Sequence, residues 1–179
     1  MLGTDKPSPS AVGNAADLID TGTALMQNGA YADAFLLLSK FESDSTQIAV
    51  LYNLSLCYFA AGETQKALEC AEKSFAALNR KPPVPPAPKN PLTTQNIFAS
   101  LSQSASGQID YLKPMPRKLP EMLPDAAKRN VLRLLVDLCA VLDNPDGVLN
   151  YAGALLPHEK NYENVTKAVE AARKKKGVL

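Results

Sequence analysis

Residues 48–80 run IAVLYNLSLCYFAAGETQKALECAEKSFAALNR. In the first half of this stretch Leu51, Leu54 and Tyr58 share one face of a helix, and Tyr52, Leu56 and Phe59 share a second. Gly62 ends the apolar run, at a place where a left-handed helix cap costs a residue without a Cβ little. A second periodic stretch then resumes, with Ala67 small enough for close approach of two helices. The pattern predicts a helical hairpin, 46–60 followed by 63–78. Cys57 and Cys70 fall inside it as small core residues.

Shifting the chain on itself by 33 residues places Leu18 on Leu51, Leu25 on Tyr58, Gly29 on Gly62 and Ala34 on Ala67. A preceding hairpin is therefore expected, with helices at 13–28 and 30–42. The polar cluster Ser43-Asp44-Ser45 is the expected N-cap of the helix that follows. A third, degenerate unit lies at an offset of 114 from the first, with Leu132, Leu135 and Cys139 on its leading helix and Val148 and Ala152 on the next. Its turn lacks a glycine at the matching place, but Asn144 as N-cap with Pro145 at the first helical position is a sound helix start. A last amphipathic helix, 161–175, carries Tyr162, Val165, Ala168, Val169 and Ala172 on one side and suits the closing cap of a repeat stack.

The unit Leu51-x2-Leu54-Ser55-x2-Tyr58, followed by Ala67-x3-Ala71, resembles the tetratricopeptide repeat. The match is best over 48–80, weaker over 15–47 and degenerate over 129–160. Ser55 stands where that family has a glycine, and Ala71 where it has an aromatic. The resemblance implies an all-α fold, a right-handed stack of antiparallel helix pairs whose first helices line a concave groove. It puts Tyr52, Asn53, Leu56 and Phe59 on that groove, with Asp20 and Thr23 of the first helix and Arg133 of the third unit beside them; Asn130 and Asp137 fall on the same face as Arg133. A groove with an apolar floor and a polar rim suits a peptide or an amphipathic helix. The competing reading is that the chain's own inserted segment covers the same residues, because a lone monomer rarely exposes so large an apolar patch. Some family members grip a C-terminal carboxylate with paired Lys and Asn; Asn53 matches one such asparagine, but the first unit has Ile19 and Thr23 where lysine and asparagine would be wanted, so that clamp is not expected.

That inserted segment separates the second and third units. Residues 82–124 hold ten of the fourteen prolines. Extended, polyproline-like chain is expected over Lys81–Lys89 and again over Leu112–Pro120, with one helix between them from Thr94 to Ser106. Ile97, Phe98, Leu101, Ile109, Tyr111 and Leu112 are more apolar than a free linker keeps, which favours a segment packed on the scaffold over a disordered one. The organisation expected is a single domain over 1–179: a flexible 1–12, two hairpins over 13–80, the Pro-rich insertion 81–123, and a degenerate hairpin plus capping helix over 124–177.

Catalysis has little raw material in the 179 residues: one histidine, no tryptophan, and three cysteines without a CxxC pair. His158 sits in a turn, and turn and capping duty accounts for Asp143 and Asp146. We expect no enzyme, no cofactor and no metal. The sequons at Asn53 and Asn164 fall in helices and are expected to be accidental. No apolar run approaches the length of a membrane span, and no secretory signal is seen, so a cytoplasmic protein with free thiols is expected. The first 80 residues carry five basic and nine acidic groups and the remainder fourteen and nine. This asymmetry fits halves that attract each other; a nucleic-acid partner for the basic end at Arg173–Lys176 is disfavoured because no aromatics are interleaved there for stacking. The function expected is a non-catalytic scaffold or adaptor that binds a protein partner's peptide or helix. The alternative is a self-contained or self-associating subunit, with a homo-oligomer left open.

Overall fold

The computed structural model describes residues 9–44, 47–80 and 110–177. Among the described residues every regular element is helical: α1 (Pro9–Gln27), α2 (Tyr31–Leu38), α3 (Ile48–Ala60), α4 (Thr64–Arg80), α5 (Leu119–Met122), α6 (Pro124–Val141), α7 (Pro145–Gly153) and α8 (Glu163–Lys176). Short 3-10 turns at Ser39–Phe41, Asp110–Leu112 and Pro157–Asn161 complete them. The hairpins α1/α2, α3/α4 and α6/α7 pack in chain order, α2 against α3 and α4 against α6. α8 closes the series on α6 and α7. Because α4 and α6 are direct neighbours, the long stretch between them interrupts the series in sequence and not in space.

The three hairpin turns share one geometry. Gly29 and Gly62 have φ of 80°, and Asp143, at the matching register, has φ of 57°. In each turn the left-handed residue donates its N–H to a carbonyl three residues back (Met26, Phe59, Ala140; 3.0, 3.0 and 3.2 Å). The next residue donates five back, to Leu25, Tyr58 and Cys139 (2.9 Å each). This pair of bonds satisfies carbonyls that a helix end otherwise leaves open. Asp143 manages without a glycine because aspartate tolerates left-handed backbone better than most residues. Its carboxylate is also held by Lys175 of α8. Asn144 caps α7 as expected, its Oδ1 accepting the Gly147 N–H at 2.9 Å.

The two departures from the repeat pattern belong together. A Cβ on Gly22 would stand 2.9 Å from the Cγ and a Cδ of Leu38, so α1 and α2 approach closely only because residue 22 is glycine. At the same register the second hairpin has Ser55 and Ala71, and the third Val136 and Ala152, all buried. From the first hairpin to the second, the first-helix residue grows from Gly to Ser as its counterpart shrinks from Leu to Ala; in the third, Val136 again faces the small side of the pair, an alanine. Ser55 also donates to the Ala67 carbonyl at 2.7 Å, so its hydroxyl is satisfied inside the core.

Several expectations need correction. α1 begins at Pro9 instead of 13, and the second helix ends at Leu38, giving way to a 3-10 turn. The N-cap of α3 is Gln47, with no side-chain cap bond, and its N–H donates to the Asp44 carbonyl in a turn that leads into the helix; of the expected cap cluster Ser43-Asp44-Ser45, Ser45 lies outside the described residues. Over 112–120 the chain is extended only in part. Pro120 enters the first turn of α5, where a proline's missing N–H costs nothing. The expected helix Thr94–Ser106 and the polyproline stretch Lys81–Lys89 lie outside the described residues. No helix among the described residues is long and apolar enough to cross a membrane.

Candidate functional site

α3 is apolar on two sides because it is enclosed: every residue from Ile48 to Cys57 is buried. One side faces α2 and α4. On Tyr52 and Asn53 lies the chain's own segment 110–118, and no buried side-chain nitrogen or oxygen among the described residues is left without a hydrogen bond.

Asn53 is wholly buried, and its side-chain amide pairs with both backbone groups of one residue of the segment. Its Oδ1 accepts the Met115 N–H at 2.7 Å, and its Nδ2 donates to the Met115 carbonyl at 3.0 Å. Nδ2 also stands 3.3 Å from the hydroxyl of Thr23 on α1, which in turn donates to the Ile19 carbonyl. Tyr52, one residue back on α3, donates its hydroxyl to the Tyr111 carbonyl. Burial pushes the Tyr52 hydroxyl pKa far up, so it stays a donor. At the far end, Arg117 donates from Nε and an Nη to the two carboxylate oxygens of Asp20, at 3.2 and 3.3 Å.

At the other end Tyr111 enters a polar cluster on α6 and α8. Its hydroxyl donates to Asp137, and its ring carries the Arg133 guanidinium 4.1 Å from the ring centroid. Tyr162 takes the opposite face of the same guanidinium at 3.9 Å. Arg133 is almost wholly buried, and desolvation lowers its pKa. Two stacked rings and the Asn164 Oδ1, which accepts from Nε and an Nη at 3.2 and 3.0 Å, hold it in place. Asn164 donates on to Asp137 at 2.9 Å. The amide nitrogens of both sequon asparagines are thus engaged inside the fold.

The segment therefore crosses α1, α3 and α6, which are the first helices of the three hairpins, and runs from the α6 end toward α1. Its burial alternates: Tyr111 and Met115 are sealed in, while Lys113, Pro116 and Lys118 face solvent. Five of the seven expected groove residues, Tyr52, Asn53, Asp20, Thr23 and Arg133, are brought together along this line. Leu56 and Phe59 carry no polar side-chain group to join these bonds; Leu56 is buried in the core and Phe59 is half-buried against it. Met115, Arg117 and Asn164 were missed as site residues. Met115 and Arg117 lie in a proline-bounded stretch with no periodicity, and the only signals in reach were the apolar Tyr111 and Leu112.

The three thiols are buried and unpaired. Burial pushes Cys57 and Cys139 up to about 11 and Cys70 to about 12, the last assisted by Glu42. They are protonated at neutral pH and not poised as nucleophiles. No group of three metal-ligating side chains occurs among the described residues. Compared with known protein families, with curated proteins and with solved structures, the chain matches none of them.

Proposed function

We propose that this chain is a non-catalytic interaction scaffold or adaptor of the tetratricopeptide kind, which holds an extended peptide of a protein partner across its first helices. The observation that carries the reading is the Asn53 amide on the N–H and carbonyl of Met115. A side-chain amide that pairs with the N–H and the carbonyl of one residue grips backbone whatever the side chain attached, as peptide-recognition surfaces do. The stacked Arg133 and the Asp20 carboxylate add an aromatic and a cationic position at either end. Free thiols accord with a cytoplasmic setting. A nucleic-acid role for the basic end gains no support, because Lys175 and Lys176 are held by Asp143 and Asp146.

A second reading rests on the burial of Tyr111 and Met115: the segment is permanent core and the chain a self-contained subunit. Selection of displayed random peptides separates the two. The baits are the full chain, native and with Tyr111→Ala plus Arg117→Ala in the covering segment. Enrichment of a common sequence on either bait, lost when Asn53→Ala is added to a chain of unchanged helicity, supports the scaffold. Failure of both baits, folded, to enrich anything supports the self-contained subunit.

A further inference from the structure

We infer that segment 110–118 is a built-in occupant of the groove, and that the partner it keeps out is a protein bearing an extended peptide of the same chemistry: a tyrosine, a long unbranched apolar residue four positions later, and a cation two beyond that. The inference rests on the peptide-groove reading and adds to it the partner's chemistry and the means of regulation.

Each requirement follows from a contact. The first position needs a ring, to lie over the Arg133 guanidinium, and a hydroxyl, to meet Asp137. The middle position is fixed by the Asn53 amide on its backbone, and its side chain enters the core, where Met115 is among the largest fully buried side chains. An unbranched, pliable chain fits such a site best. The last position faces the Asp20 carboxylate. Between these, Lys113 and Pro116 are exposed and Leu112 and Pro114 half-buried, so the three named positions carry the recognition.

The segment is held as a ligand is held. Over 113–116 it adopts no regular structure, and its described polar contacts to α1, α3 and α6 use side chains of those helices on its backbone or its ends. It is joined to α6 through α5 and Leu123, so its local concentration at the groove is on the order of millimolar. A free peptide of micromolar affinity cannot compete with that, whereas a partner that also docks elsewhere can. The groove is then shut in the isolated chain and opened by an avid partner.

The test uses a labelled peptide of sequence QIDYLKPMPRKL, copied from 108–119. It is titrated into the full native chain, into the chain with Tyr111→Ala and Arg117→Ala, and into that variant with Asn53→Ala added; a scrambled peptide is the control. The inference expects binding to the opened variant at least roughly tenfold tighter than to the native chain, and loss of it with Asn53→Ala or scrambling. Absence of binding to a folded opened variant overturns it. Equal binding of the scrambled peptide also overturns it, while leaving the peptide groove itself standing. A native chain that forms dimers by exchanging the segment assigns the groove to a second copy and likewise overturns it. Should the opened variant not fold, hydrogen exchange on the native chain decides. A Met115 amide that exchanges about tenfold or more faster than that of Leu54 marks a segment that opens on its own, and equal rates mark permanent core.

Discussion

Ala67 and Met115 are both sealed from solvent, and the two regions they belong to are held in different ways. Ala67 sits at the contact of α3 with α4, where apolar periodicity, a left-handed turn and matched residue volumes act together. Met115 sits in a segment with no helical pattern, placed by an amide from Asn53 on its backbone and a stacked arginine near Tyr111. In the first region stability comes from burying periodic surface, and each residue depends on its neighbours along the helix. In the second a few specific polar contacts from Tyr52, Asn53, Asp20 and Asp137 position the chain, and the buried Met115 and Tyr111 side chains add apolar surface to the core. The difference suggests two layers of stability: a cooperative stack, and a strap that lies across it.

Adjacent residues on α3 separate the layers most strongly. Leu54 is fully buried in the stack, and Leu54→Ala should cost about 2–5 kcal/mol through lost burial and the cavity left behind. Chemical denaturation should show one transition, with exchange speeding up in all hairpins together. Asn53→Ala leaves the Met115 N–H and carbonyl without partners, at a cost of roughly 2–4 kcal/mol. Its exchange signature should differ: amides of 111–117 become exposed, while those of α3 and α4 keep their order of protection. Uniform loss in both variants would merge the two layers into one.

A smaller effect tests the volume matching within the stack. Gly22→Ala drives a Cβ against Leu38 and should cost about 1–3 kcal/mol. Combined with Leu38→Ala, which imitates the Ser55 and Ala71 arrangement, the penalty of the glycine change should vanish. A double-mutant cycle by urea denaturation measures the coupling; additive losses would show that the two positions do not share a contact.

The smallest effect at neutral pH belongs to the thiols. Their folded values of about 11, 12 and 11 lie above the ordinary 9.0, so below pH 9 they are protonated in folded and unfolded chains alike. Above pH 9 the unfolded chain sheds these protons first, and stability falls as pH rises through 11 to 12. A melting temperature flat from pH 7 to about 8.5 and falling beyond it checks this; Cys57→Ala should make the fall shallower.

The sequence discloses the stack because helical periodicity and turn glycines are local signals. Leu51, Leu54 and Tyr58, with Gly62 after them, are sufficient to place α3 and α4 to within two residues. The third turn was harder, since Asp143 does a glycine's work and only the coordinates reveal its positive φ. That Tyr52, Asn53, Asp20, Thr23 and Arg133 fall near one line follows from the repeat resemblance, which sets the register of each first helix. Their occupant does not follow from it. Asn53 and Met115 lie 62 residues apart, and the Asn53 side chain bonds to backbone groups of Met115, which leaves no mark on residue type at the Met115 end. Leu56 and Phe59 illustrate the opposite limit: their register suits a groove floor, but burial depends on what packs above them.

The contact between Asn53 and Met115 can be observed directly. In the native, isotopically labelled chain, a scalar coupling across the hydrogen bond should connect the Met115 amide nitrogen to the Asn53 side-chain carbonyl carbon, and Asn53→Ala should abolish it. Absence of the coupling in the native chain, with the Met115 amide exchanging at the rate of an open peptide, would contradict the placement of the strap across α3.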